Sequence, residues 1–132
     1  ITATNATNNY TYYFGFSDNN SSVSPTNGCY FTYSTATTSW RTICKKAGGS
    51  TTTCDISVTV ATSTWYSLKI TVNAAGTSVT FVVNDDPVNK ACTTTTNIPT
   101  VAVSWFTGML LTAGSASVDL DYMDLTGDGL SR

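Results

Sequence analysis

The sequence predicts an all-β protein, an antiparallel β-sandwich stapled by disulfides, and three observations carry that prediction. Apolar residues recur with period two along segment after segment, the spacing that puts alternate side chains on one face of a strand. Clusters of Gly, Asn, Asp and Pro separate these segments at short, near-regular intervals, as in sandwiches and barrels. No stretch carries the 3.6-residue period of an amphipathic helix. The 132 residues fit one domain, read here as residues 1–132. At this length about two-thirds of the unfolded surface is buried on folding, enough for a real core.

The elements follow in order. Tyr10, Tyr12, Phe14 and Phe16 share one face of a first strand. A turn around Asp18, Asn19 and Asn20 and the Pro25–Gly28 stretch lead to a second, with Cys29, Phe31 and Tyr33 on one face. Trp40, Thr42 and Cys44 alternate with Arg41, Ile43 and Lys45. Beyond the Gly48-Gly49 turn, Cys54, Ile56, Val58 and Val60 form the clearest inward stripe. Tyr66, Leu68, Ile70 and Val72 make the next, opposed by Lys69, Thr71 and Asn73. Gly76 turns the chain into Val79, Phe81 and Val83, and Asn84 to Pro87 turn it again. Val88 to Cys92 read as a strand and Thr93 to Thr96 as a loop. Val101, Val103 and Trp105 form a late strand, and Val118, Leu120 and Tyr122 the last. Residues 1–9, rich in Thr and Asn, read as a linker or an inter-subunit arm.

Composition removes whole classes of chemistry. The chain holds no His, no Glu and no Gln, and its eight acids are all Asp. That excludes Ser-His-Asp and Cys-His nucleophilic catalysis, His-ligated metals and a Glu general acid. Six basic residues against eight acids leave no surplus to neutralise phosphates, so nucleic acid is not expected as a partner. Roughly a fifth of the residues are Thr, a β-branched hydroxyl suited to exposed strand positions. No apolar run is long enough to insert in a membrane, and no signal-peptide pattern is present. The chain starts at Ile1, which suggests a processed product or a domain of a longer protein.

Four cysteines without a C-x-x-C pair point to disulfides and an oxidising compartment rather than zinc. They allow three pairings. Cys44 and Cys54 flank the Gly48-Gly49 hairpin, so the expected pairing is Cys44 with Cys54 and Cys29 with Cys92, to be judged by Cα separation.

The stretch Trp65-Tyr66-Ser67-Leu68-Lys69-Ile70-Thr71-Val72-Asn73-Ala74-Ala75-Gly76-Thr77-Ser78-Val79-Thr80-Phe81-Val82-Val83-Asn84 resembles the core of concanavalin A-like jelly-roll domains in bacteriophage and prophage virion proteins. Phe14-Gly15-Phe16-Ser17-Asp18, Gly28-Cys29-Tyr30-Phe31 with Trp40, and Val118-Asp119-Leu120-Asp121-Tyr122-Met123-Asp124-Leu125 agree with it, so the resemblance spans nearly the whole chain. Asn84-Asp85 stands where the family has Asn-Gly. The resemblance implies a concanavalin A-like jelly roll in a fibre, tail or decoration protein. Glycoside hydrolases of this broad fold use Glu-x-Asp-x-x-Glu, which a Glu-free chain cannot supply.

Several residues are candidates for function. Tyr30, Arg41 and Asp55 fall opposite the core stripe, and with Trp65 they form a candidate glycan-binding platform; the bland alternative is that the Trp residues fill core or rim. Asp119 and Asp121 share a strand face. They read as a solvated surface, as ligands for a structural calcium, which the resemblance favours, or as a remote catalytic pair. Asn5, Asn9, Asn19 and Asn20 each begin a glycosylation sequon. Lys45-Lys46 reads as a solvated hairpin tip that discourages edge pairing.

The expected function is a non-enzymatic virion-surface or extracellular module that binds carbohydrate or a host surface and is displayed in many copies. Its partners would be a host-surface glycan or polysaccharide, and copies of itself or other virion or filament subunits. No cofactor is required beyond an optional calcium. The alternative is a purely structural subunit of a capsid, fibre or filament, marked by an apolar patch at Ile43 or Phe106. An Asp-dependent polysaccharide-active enzyme is the remote alternative.

Overall fold

A computed structural model describes residues 2–3, 10–19, 25–111 and 117–124. Among the described residues ten strands form in chain order: β1 (Thr2–Ala3), β2 (Tyr10–Ser17), β3 (Gly28–Ser34), β4 (Ser39–Lys45), β5 (Thr51–Thr59), β6 (Leu68–Val72), β7 (Val79–Val83), β8 (Ala91–Thr94), β9 (Ser104–Leu111) and β10 (Val118–Asp119). They assemble into a five-stranded sheet in the order β5-β4-β3-β2-β9, a three-stranded sheet β6-β7-β8 and a two-stranded pair β1-β10. Every pairing is antiparallel. The protein is an all-β antiparallel two-sheet sandwich carrying two disulfides.

Period two selects the inner face as the sequence predicts. Register places Tyr12 opposite Tyr33, which in turn faces Trp40; one step along, Phe14 faces Phe31. These side chains join Ile56, Tyr66, Val79, Phe81 and Val83 in one core. The layers meet through rings: Phe31 lies edge-on to Phe81 at 5.3 Å, and Trp40 to Tyr66 at 5.9 Å. Such pairs add about 0.5–1.5 kcal/mol each beyond their burial. The Tyr66 hydroxyl donates to the Thr59 carbonyl and accepts from the Ala61 amide, so the crossover from β5 to β6 is tied to the core.

The turns obey local side-chain chemistry. Asn84 and Asp85 both adopt positive φ, 55° and 52°, and the Asp86 amide bonds back to the Val83 carbonyl. That is a mirror-image turn, whose positive φ values short polar residues such as Asn and Asp tolerate. The Asp86 carboxylate accepts the amides of Asn89 and Val88, and these bonds hold its carboxyl below the ordinary carboxylate range.

Several expectations are corrected. Cys29 pairs with Cys44 and Cys54 with Cys92, at Cα separations of 4.2 and 6.4 Å. The reason is register. Lys45 faces Thr51 across the hairpin, so Cys44 faces Thr52 and Cys54 faces Thr42. Cys44 and Cys54 are therefore diagonal, about 7–8 Å apart where disulfide Cβ atoms need about 4 Å. Cys29 sits directly opposite Cys44, whereas Cys54 bridges the edge strand β5 to β8 in the other layer. The Val88–Lys90 stretch is a turn shaped by Asp86, and the strand continues through Thr93 and Thr94. The late strand starts at Ser104, after the exposed Val101 and Val103. The last ends at Asp119, leaving Leu120 and Tyr122 exposed. Apart from these corrections, Thr2 and Ala3, in the segment read as a linker or an inter-subunit arm, pair with Asp119 and Val118, and residues 4–9 lie outside the described residues.

Candidate functional site

The outer face of the five-stranded sheet gathers most of the polar and aromatic candidates. Register builds one row across all five strands: Gly108, Tyr13, Thr32, Arg41 and Asp55. The neighbouring row is Phe106, Gly15, Tyr30, Ile43 and Thr53. At about 4.8 Å between strands, the first row extends about 19 Å.

Tyr30 lies on this face, but it is only 4% exposed. Its ring meets Phe106 edge-on at 5.5 Å and Tyr13 at 5.9 Å. Gly15 makes room for it: a Cβ there would sit 2.7 Å from Tyr30 Cβ and 2.6 Å from the Cys29 carbonyl oxygen. Burial, helped by the nearby Tyr13, pushes the Tyr30 hydroxyl up to about 12. A ring enclosed in this way offers no face for stacking, which corrects the expectation of an open Tyr30 platform. Phe106 is buried in the same cluster and Ile43 is half-buried, so neither forms the exposed apolar patch expected of a structural subunit.

Arg41 and Asp55 do come together, directly opposite each other in β4 and β5. No ion pair joins them. The Asp55 Oδ1 instead accepts the Ser39 hydroxyl at 3.0 Å and the Ser57 amide at 2.9 Å. These bonds brace an irregularity in the β4–β5 pairing, where Ser57 takes a φ of 51°. Such bulges re-aim neighbouring side chains. Arg41 Nε is shielded from solvent without a hydrogen-bond partner, a costly arrangement for a cation's donor. Beside it Thr32 is buried and Tyr13 half-buried. Above Gly108 the surface is open, because a Cβ there would meet nothing within 4 Å.

Trp65 reaches the surface, 56% exposed, but makes no hydrogen bond or ring contact with Tyr30, Arg41 or Asp55. It adjoins Tyr66, which packs under Trp40 from the other layer. Asp119 and Asp121 are both exposed, and Asp121 lies beyond β10. Among the described residues no three His, Cys, Asp or Glu side chains converge on a metal position. Of the sequons, Asn19 follows β2, its amide bonded to the Ser17 hydroxyl, whereas Asn5, Asn9 and Asn20 lie outside the described residues. No helix among the described residues is long and apolar enough to cross a membrane, and the disulfides are consistent with an extracellular or secreted setting.

Tyr13, Thr32 and Gly108 were not singled out by the sequence. Period two puts Tyr13 opposite the core stripe, but only register seats it beside Thr32 and Gly108.

The family model described as "SO2946-like, C-terminal domain" matches residues 1–125, and the chain belongs to that family. Comparison with curated proteins and with solved structures finds no match.

Proposed function

We propose that this SO2946-like domain is a non-enzymatic module of a virion surface or extracellular protein, that it binds carbohydrate, and that it is displayed in many copies on a concanavalin A-like jelly roll. The observation that carries the reading is the outward row of Tyr13, Thr32, Arg41 and Asp55, which sets a guanidinium and a carboxylate directly opposite each other beside a threonine and a half-buried tyrosine ring. Sugar recognition combines planar polar groups that grip hydroxyls with an aromatic face for the apolar side of the ring. The matched family is described as a C-terminal domain, which suits a binding module carried by a larger protein. A chain without Glu or His favours binding over turnover. Each site would be weak, and many copies raise avidity through effective concentration.

A second reading, a structural subunit that packs on its neighbours, draws on exposed Leu110, Leu111, Leu120, Tyr122 and Met123. A glycan array probed with the multivalent domain separates the two. Specific binding is expected. A blank array at high avidity, with self-association in sedimentation, would overturn the carbohydrate reading and leave the structural one.

A further inference from the structure

We propose that β9, the open edge of the five-stranded sheet, pairs antiparallel with β9 of a second copy of this chain, joining two sheets into one continuous sheet. The inference goes beyond the carbohydrate reading and stands whether or not that reading holds. An edge strand presents a row of backbone N–H and C=O groups that another strand can pair, and proteins guard such edges with charge, proline or irregular pairing. The other long edges here are guarded. β5 carries Asp55 and the irregularity at Ser57, and it is clasped to β8 by the Cys54–Cys92 bridge and the 2.7 Å bond between Thr52 and Thr96. β6 carries Lys69. β9 has none of these devices: it runs in unbroken register with β2 from Ser104 to Leu111, and no charged residue falls between Lys90 and Asp119. Among the described residues nothing pairs with its far side.

The strand's own side chains argue for a second copy as the occupant, because β9 is complementary to itself. A two-fold axis through Gly108, perpendicular to the sheet, sets every β9 residue against one from the same face of the other copy, as alternation requires. Leu110 then faces Phe106 and Leu111 faces Trp105. The two leucines are 42% and 41% exposed at one end of the strand, and the two aromatic side chains stand at its other end. The symmetry makes each pair twice, and apolar cross-strand pairs contribute about 0.2–1 kcal/mol apiece. Gly108 leaves the centre unobstructed, since a Cβ there would meet nothing within 4 Å. An uncharged strand also raises no repulsion against its own copy. Gly108 begins the outward row that continues through Tyr13, Thr32, Arg41 and Asp55. Pairing on this axis joins the rows of two copies end to end on one face, with the two Thr32 residues about 24 Å apart at about 4.8 Å per strand.

The test is sedimentation velocity of the intact domain across micromolar to millimolar concentrations, where a reversible dimer is expected. Leu110→Lys places a charge on the edge at an exposed position, so the fold should survive and dimer affinity should fall by roughly tenfold or more, the substitution entering the interface twice. Disulfide crosslinking reads the register independently of that variant. Gly108→Cys sets a thiol directly opposite its own copy, where paired Cα atoms lie about 4.5–5.5 Å apart, and mild oxidation should give a crosslinked dimer on a non-reducing gel. Ser104→Cys lies about 27 Å from its own copy in this register and should give none. A monomer at every concentration, or a dimer indifferent to Leu110→Lys, overturns the proposal. So does crosslinking at Ser104 rather than Gly108. Slow hydrogen exchange at every β9 amide of the dilute monomer also overturns it, because another segment of the chain would then occupy the edge.

Discussion

Removing the Cys54–Cys92 bridge, as the double variant Cys54→Ser, Cys92→Ser, separates the two layers at one edge of the sandwich. The bridge spans a sequence separation of 38. On the chain-entropy model, closing a loop of that size restricts the unfolded chain by about 13 cal/mol/K, or about 4 kcal/mol at 25 °C. The Cys29–Cys44 bridge spans 15 and is worth about 3 kcal/mol on the same model. The two loops do not overlap in sequence, so the losses should add when both bridges are removed. Urea unfolding followed by Trp fluorescence measures this. With an m-value of about 2 kcal/mol/M, the midpoint of the Cys54/Cys92 double variant should fall by about 2 M. Its remaining cysteines should give no thiol titration in denaturant, because Cys29 and Cys44 stay bonded. Two titratable thiols would refute the pairing, and a loss below about 1 kcal/mol would refute the stabilisation assigned to this bridge. The polar clasp beside it, with Thr52 bonded to Thr96 at 2.7 Å and Asn97 to Thr52 at 2.9 Å, should then show raised hydrogen exchange in the variant.

Other outcomes follow from the packing. Phe81, fully buried against Phe31, should cost about 3–5 kcal/mol as Phe81→Ala in the same urea assay. Gly15→Ala drives a Cβ to 2.6 Å from the Cys29 carbonyl oxygen and Tyr30 Cα, and should lower stability by about 1–3 kcal/mol; an unchanged midpoint would contradict the close strand approach. Tyr30 has a folded-state pKa raised to about 12 from 10.0, so its contribution is complete below pH 10 and disappears as pH rises toward 12. Urea midpoints should fall across that window, less steeply in Tyr30→Phe. Trp65→Ala, at an exposed position, should change neither stability nor glycan binding.

How far the sequence could be read depended on whether one strand or two were needed. Single-strand phase was legible: Tyr10, Tyr12 and Phe14, or Val79, Phe81 and Val83, point inward as the alternation requires. Register was not, because hairpin pairing depends on where the turn closes. Two residues of register separate Cys44–Thr52 from the expected Cys44–Cys54 contact, and that shift reassigned both disulfides. The candidate site divides the same way. Phase placed Tyr30, Arg41 and Asp55 on one face correctly, but the exposure of Tyr30 was set by Phe106 and Tyr13 on other strands. The pairing of Arg41 with Asp55 across β4 and β5, and the bonds that keep Asp55 from Arg41, required three-dimensional structure. The ends of β9 and β10 were misplaced because Val101, Val103, Leu120 and Tyr122 carry apolar side chains that stay in solvent, where hydrophobicity alone does not fix a strand.

The most direct measurement of the central claim is amide chemical-shift mapping of the intact domain with an array-selected glycan. Shifts should centre on Tyr13, Thr32, Arg41 and Asp55, with small changes in β6, β7 and β8. Shifts confined to the three-stranded sheet or to residues 117–124, with the Arg41 row silent, would contradict it.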